Sequence, residues 1–473
     1  MRLTHMTGWT AFAAAVTVLF FSCASVEQPP VREEPEAFSR IHFGTELNRL
    51  VSDQRHDEAL ALFDTVPEPD ASDPAILRLK LAILTAAGRL DEAVLLADHL
   101  EASLPNDTEL LYARAMLAGA RGDSKGRQQY LNRVIQLKPD HSDALTAAGL
   151  DLLARKNYRQ AREWLTKAVS ANPDNTDALL GLGRAYYMEN DLDKAEDTLT
   201  LAISRDPEYH LLWAERARVY AENRKRPLAL EDIRKAIELN SSIYGHWVDY
   251  GNYLMAMGRR EASRDAFSEA ILLQPEQYLS YIYRAGLNDD LGNTDEAISD
   301  YQKVVALYPQ YYFAAESLGI LLWGKEDWAG SREAFRHALS YNPQNTSYAL
   351  MYTLCYYREG RADDAKKFMA EYIKTLDRTT TEYFLCRLFV DQAGDADVLN
   401  RIMREKNVND RNRMLFYSAV YYEMFQSVSI AQKYYMEVLS VQVPSFFEYR
   451  LSQWAVSRLE SAAHEIGTTS LKS

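Results

Sequence analysis

Cysteine is scarce: three in 473 residues. That is too few for a scaffold stapled by disulfides. Positive charge is also short, with 53 Lys and Arg against 67 Asp and Glu, a net charge of −14. Nucleic-acid binding draws much of its affinity from Lys and Arg on phosphate, so nucleic acid is not an expected partner. Holding anionic lipid by charge alone is disfavoured on the same ground. The nine histidines are scattered, and neither a His-Glu-x-x-His nor a Cys-x-x-Cys spacing occurs. Metal sites of those types are therefore absent. There is no Gly-x-Ser-x-Gly elbow and no phosphate-binding P-loop. No nucleophile, metal or acid–base constellation survives, so the chain is expected to be no enzyme, to carry no cofactor and to bind no small molecule. What the chain does have is a hydrophobic fraction of 47%, ample for a buried core, and 30 tyrosines.

One long apolar run stands at the N-terminus, Trp9 to Phe21, 13 residues. A bilayer needs about 20 helical residues, so the run fits a secretory signal core and not a span. Phe20-Phe21-Ser22-Cys23 follows. A small residue before a cysteine at the end of such a core resembles a bacterial lipobox, in its looser spirochaete-type form, since Phe20 stands where Leu is usual. The resemblance implies a signal peptide over 1–22, lipid on Cys23 and a membrane anchor through several acyl chains. Residues 24 to 38 carry three prolines and four glutamates, which reads as a flexible tether over 23–39. Ala24 follows the cysteine without an Asp, and by resemblance the destination is an outer membrane.

The body is periodic. Pro105, Pro139, Pro173 and Pro207 are each 34 residues apart, as are Pro275, Pro309 and Pro343; Ser241 holds the intervening place. With this residue as position 32, units start at 74, 108, 142, 176, 210, 244, 278 and 312. Position 8 is small (Ala115, Gly149, Gly183, Ala217, Gly251, Ala285, Gly319), and position 24 is bulky (Leu131, Leu165, Leu199, Ile233, Phe267, Tyr301, Phe335). Positions 20 and 27 recur as alanine. Gly88, Gly122, Gly258 and Gly292 at position 15 suit a left-handed helix end. Asp91, Asp193 and Asp295 sit three residues on, where an acidic residue favours the next helix's N-terminus. Each unit thus reads as helix A, turn, helix B. The pattern extends back to about 40 and forward from 346; it degenerates over 380–411 and returns from 412. A final amphipathic helix from Phe446 to about Ala463 is expected to cap the end.

A period of 34 with this set of positions resembles the tetratricopeptide (TPR) repeat. The resemblance covers about 40 to 445. It implies an all-α fold, a right-handed α-solenoid of about 11–12 helix-turn-helix repeats with a C-terminal capping helix. The regular array is expected over 40–379, degenerate and final units over 380–445, and the cap and tail over 446–473. In the family, helix A lines a concave groove, at positions 2, 5, 9 and 12. Here those positions are polar or mixed in the middle units: Arg184, Tyr187, Arg218, Asn252 and Met255. Further on they turn apolar: Leu279, Ile282, Phe313, Ile320, Trp323, Leu350, Leu354 and Tyr357, interrupted by Asp289 and Glu316. Either this stretch is an exposed docking surface, or the superhelix or the last helix covers it.

Other features have bland readings. Gly181 and Gly183 in GLGRAY look like half a dinucleotide fingerprint but fall inside helix A. Asn223-Arg224-Lys225-Arg226 falls in an A–B turn, and Cys355 and Cys386 lie on neighbouring units, as buried thiols or as a disulfide. The sequence therefore predicts a protein-binding scaffold of the bacterial envelope, lipid-tethered, taking proteins or peptides in the groove. A surface adhesin contacting host molecules and a transporter-accessory or solute-binding lipoprotein are the alternatives.

Overall fold

The structure, a computed structural model, describes residues 38–442 and 444–470. The signal peptide, Cys23 and nearly all of the expected tether lie outside those residues. The chain divides into two compact bodies, one ending at Ser241 and the other starting at Ser242. The division falls at the serine that interrupts the proline series.

Every regular element among the described residues is helical, with no strand. The first body holds α1 (Arg40–Ser52), α2 (His56–Leu62), α3 (Pro74–Ala86), α4 (Leu90–Ser103), α5 (Thr108–Ala120) and α6 (Ser124–Leu137). It continues with α7 (Ser142–Ala154), α8 (Tyr158–Ala171), α9 (Thr176–Met188), α10 (Leu192–Arg205), α11 (His210–Glu222) and α12 (Arg226–Leu239). The second body begins with α13 (Tyr244–Ala256), α14 (Arg260–Leu273), α15 (Tyr278–Asp290), α16 (Thr294–Leu307), α17 (Tyr312–Gly324) and α18 (Trp328–Tyr341). Then come α19 (Thr346–Arg358), α20 (Ala362–Tyr372), α21 (Thr381–Asp391), α22 (Asp395–Met403), α23 (Val408–Phe425), α24 (Val428–Val438) and α25 (Glu448–Ser470). In each body successive helices pack as pairs, and the pairs stack as an α-solenoid. Twelve pairs and one last helix make up the described chain.

The sequence register is the structural register. Helix A begins at position 1 in every regular unit, as at Thr108, Ser142 and Tyr312, and helix B at position 17, as at Ser124, Tyr158 and Trp328. The turn between them is set by position 15, which is left-handed in every one of these units. Glycine supplies it at five places, while Gln54, Lys156, Asn190, Arg224 and Glu326 adopt the same conformation at φ near 60°. A β-carbon makes that conformation costly, so in those five units the packing of the pair imposes it. The small residues at position 8 admit the large ones at position 24. The alanines at positions 20 and 27, among them Ala161, Ala195, Ala202 and Ala236, are wholly buried.

A second intra-unit contact was not anticipated. Arg216 at position 7 of α11 donates to both carboxylate oxygens of Asp232 in α12, at 2.7 and 2.9 Å. Arg284 and Asp300, two periods later, repeat it at 2.9 and 2.7 Å. Both aspartates are buried, and each arginine bridges the pair in the bidentate geometry that suits a guanidinium.

Candidate functional site

In the first body the structure brings two of the predicted groove residues together. Arg184 and Arg218 both donate to Oε1 of buried Glu215, at 2.7 and 2.9 Å. Tyr187 is half-buried against the neighbouring apolar cluster. The basic turn is engaged too: Lys225 donates to Glu196 at 2.6 Å. In the second body Asn252 is half-buried and Met255 is exposed.

The apolar stretch is not one open stripe. Leu350, Leu354, Ile320 and Tyr357 are buried, at 1%, 0%, 7% and 8% exposure, so none of them faces a partner. All four belong to one core cluster shared with residues of α21, α23 and α25, and α23, the long first helix of the last unit, reaches α19 through side chains. The Tyr417 hydroxyl of α23 lies 3.2 Å from the Ser347 carbonyl. Arg358 at the other end of α19 donates to Glu423 of α23 at 2.8 Å. Tyr357 is pinned between them, its hydroxyl donating to the Phe389 carbonyl; burial pushes that hydroxyl up to about 12. Ile282 is half-buried in the adjoining core. Trp323 is half-buried, edge-on to Trp328 at a ring distance of 4.9 Å, with Arg358 over its face. Glu316 does not break a binding surface either. It accepts a hydrogen bond from the Tyr348 hydroxyl at 2.5 Å, and burial raises its carboxyl.

The expected cap is longer than the sequence predicts and does more than stack on the final pair. α25 lies along the A helices of the second body. Its first residue, Glu448, is wholly buried and accepts from Ser347 of α19 and from Tyr417 of α23. Leu451, Ala455 and Val456 join the core. Arg450 reaches α15, Trp454 the end of α17, and Arg458 the end of α23. The self-covered reading of this face is therefore the one the geometry shows. The residues responsible were legible only as an Arg-x-x-x-Trp-x-x-x-Arg spacing in the last helix.

Of the predicted apolar stretch, Leu279 and Phe313 stay exposed, and they lie at an aromatic edge. Phe313 at position 2 of α17 is 50% exposed, and Leu279 at the same position of α15 is 44% exposed. Around them Tyr278 stacks on Tyr308 at 4.4 Å, and Tyr312 lies 4.4 Å from Phe313. Tyr311 bridges the two pairs. The signal was the Tyr308-Pro309-Gln310-Tyr311-Tyr312-Phe313 run around one grid proline. Elsewhere, Cys355 and Cys386 are free and buried, with no bond between them. Burial raises both thiols, Cys355 to about 12, which keeps them protonated and unreactive. Among the described residues no cluster of three His, Cys, Asp or Glu could hold a metal. No described helix is long and apolar enough to cross a membrane.

Comparison with known proteins agrees with this architecture. Tetratricopeptide-repeat family models match residues 152–219, 248–312 and 317–377. The chain is similar to human tetratricopeptide repeat protein 13, 28% identical over 144 residues, 30% of this chain and 16% of that protein. It is also similar to human tetratricopeptide repeat protein 6, 22% identical over 165 residues, 28% of this chain and 32% of that protein. The aligned parts thus span less than a third of either relative. A solved tetratricopeptide repeat protein from Parabacteroides merdae is 21% identical with a TM-score of 0.38, covering 52% of this chain and 96% of that one. Helix pairs, period and family match agree, and residues 152–219, 248–312 and 317–377 of this chain are tetratricopeptide repeats.

Proposed function

We propose that the chain is a non-enzymatic protein-binding scaffold of a bacterial envelope, held at the membrane by lipid on Cys23 and engaging its partner through the second body. The observation that carries the reading is the aromatic edge around Phe313. A folded chain gains by burying such rings, and a contiguous apolar patch left in water marks an interaction surface. Aromatic side chains are also the usual anchors of protein interfaces. The rest of the predicted stripe is covered, so the edge is where a protein or peptide would dock. The lipobox-like Ser22-Cys23 supports the tether, and the Pro- and Glu-rich segment after it supports a body held away from the membrane.

The test is a photo-crosslinking residue at position 313 in the native cell, with the exposed Lys156 turn as control. A discrete adduct at 313, absent at 156, is the expected result. Equal labelling at both places, or none at 313, removes the edge as the docking surface.

A further inference from the structure

The last helix, α25, contacts several A helices of the second body. Arg450, Trp454 and Arg458 are spaced i, i+4 and i+8, so they form one ridge of α25. Each meets a different repeat. Arg450 donates to both oxygens of Asp289 on α15, at 2.5 and 2.6 Å. The Trp454 ring lies over Gly324 at the end of α17; a Cβ there would come within 2.7 Å of it. Arg458 donates to Glu423 of α23 at 2.7 Å. A helix that merely closes the last repeat needs only an apolar face. Two carboxylates flanking a glycine notch form a recognition pattern for a basic amphipathic helix.

The seat is also imperfect. Oε2 of buried Glu448 has no hydrogen-bond partner, and neither has Nε of Arg358, which lines a cleft with Trp454 and Arg458. That cleft, of about 160 Å³, remains between Trp454 and Arg458 on the helix and Trp323, Trp328 and Arg358 on the wall. Unpaired buried polar atoms and unfilled volume both weaken a contact. We propose that α25 is an exchangeable ligand: the A-helix face of the second body is a docking site for a partner protein's amphipathic helix carrying an Arg-x-x-x-Trp-x-x-x-Arg ridge, and α25 closes it until such a helix displaces it. The proposal rests on the protein-binding reading for the class of ligand, but not on the aromatic edge or the lipid. Loss of crosslinking at 313 therefore leaves it untouched.

Two measurements on the full chain decide it. In the unaltered protein, α25 amides should exchange hydrogen through a local opening, at least about tenfold faster than those of α23. Exchange of α25 only with global unfolding overturns the proposal. The double variant Arg450→Glu, Arg458→Glu turns both latches repulsive. It should keep the helical signal of the array, lose α25 protection and bind a fluorescein-labelled peptide of residues 446–463 at least about tenfold more tightly than wild type does. A Trp454→Ala peptide should bind at least about tenfold more weakly to that variant. A folded variant that ignores the peptide overturns the proposal. So does a variant that pairs into dimers by trading α25 between copies, because the occupant is then a second copy. A variant that unfolds outright places α25 in the core and also overturns it.

Discussion

A Cβ built on Gly183 would lie 2.7 Å from Cγ of Leu199, sixteen residues on in the partner helix of the same unit. Gly149 stands in the same relation to Leu165, Gly251 to Phe267 and Gly319 to Phe335. The small residue at position 8 thus exists to admit the large one at position 24. Gly183→Leu should cost about 1–3 kcal/mol or more through overpacking. Leu199→Ala should cost about 2–5 kcal/mol through the cavity it leaves. The decisive measurement is the double variant Gly183→Ala, Leu199→Ala. Its loss in chemical denaturation should fall short of the summed single losses, since each change makes room for the other. Strict additivity would mean that the two residues do not meet.

Trp323 and Phe313 were expected to act alike, and the structure separates them. Trp323 is wedged against Trp328 and Arg358 beside α25. Trp323→Ala should therefore destabilise the second body, by less than the about 3–5 kcal/mol of a fully buried aromatic. Phe313 is half exposed, so Phe313→Ala should cost under about 1 kcal/mol while weakening partner capture. Melting curves beside a binding assay check both. Loss of stability with Phe313→Ala and none with Trp323→Ala would reverse the assignment.

The repeat was legible because it is local. A helix pair of 34 residues places its close contacts within one period, and Gly183, Leu199, Ala195 and Ala202 betray their packing by recurrence. The Arg216–Asp232 and Arg284–Asp300 bridges sit at positions 7 and 23 of two units and could have been found by aligning those positions. Left-handed turns at Gln54, Lys156, Asn190, Arg224 and Glu326 carry no glycine; only their place in the register gives them away. What recurrence does not encode is the return of α25. Arg450 and Asp289 are 161 residues apart, and Glu448 and Ser347 are 101 apart. No period links them, so recurrence could not decide between an open stripe and one covered by the last helix. The consensus assigns their positions to an open groove, and the irregular last unit fills it.

The tether is tested separately from the fold, because Cys23 lies outside the described residues. Cys23→Ser should abolish incorporation of labelled fatty acid and release the protein from membranes, while the helical signal and melting of the repeats stay unchanged. Each buried CH₂ of an acyl chain is worth about 0.8 kcal/mol, so loss of the chains should move nearly all of the protein to the aqueous phase of a detergent partition. Wild-type protein found in the aqueous phase, or free of labelled lipid, ends the lipoprotein reading.

Glu448 should make the second body sensitive to pH. Its carboxyl is wholly buried, and burial raises it above the ordinary value of 4.5, with hydrogen bonds from Ser347 and Tyr417 pulling the other way. Arg413 of α23 acts on it only through space, and Tyr348 of α19 is the other titratable neighbour. A carboxyl raised in the folded state holds its proton more tightly there than in the unfolded chain. Its contribution to stability is therefore full below the ordinary value and is lost as pH rises through the raised one. Glu423 runs the other way. Burial would raise it, but Arg358 and Arg458 bring it below its ordinary value, so its contribution is present above that value and lost in stronger acid. Glu448→Gln keeps the acceptor oxygen for Ser347 and Tyr417 and removes the titration. Wild type and variant should melt together below the ordinary glutamate value. Above it, the wild type should fall behind, by about 1.4 kcal/mol for each tenfold by which the folded state holds the proton more tightly, until the gap levels off. The dependence on Glu423 survives in both proteins and cancels in the difference. Parallel pH profiles for the two would mean that Glu448 gives up its proton as easily folded as unfolded, and that the seat of α25 is open to water.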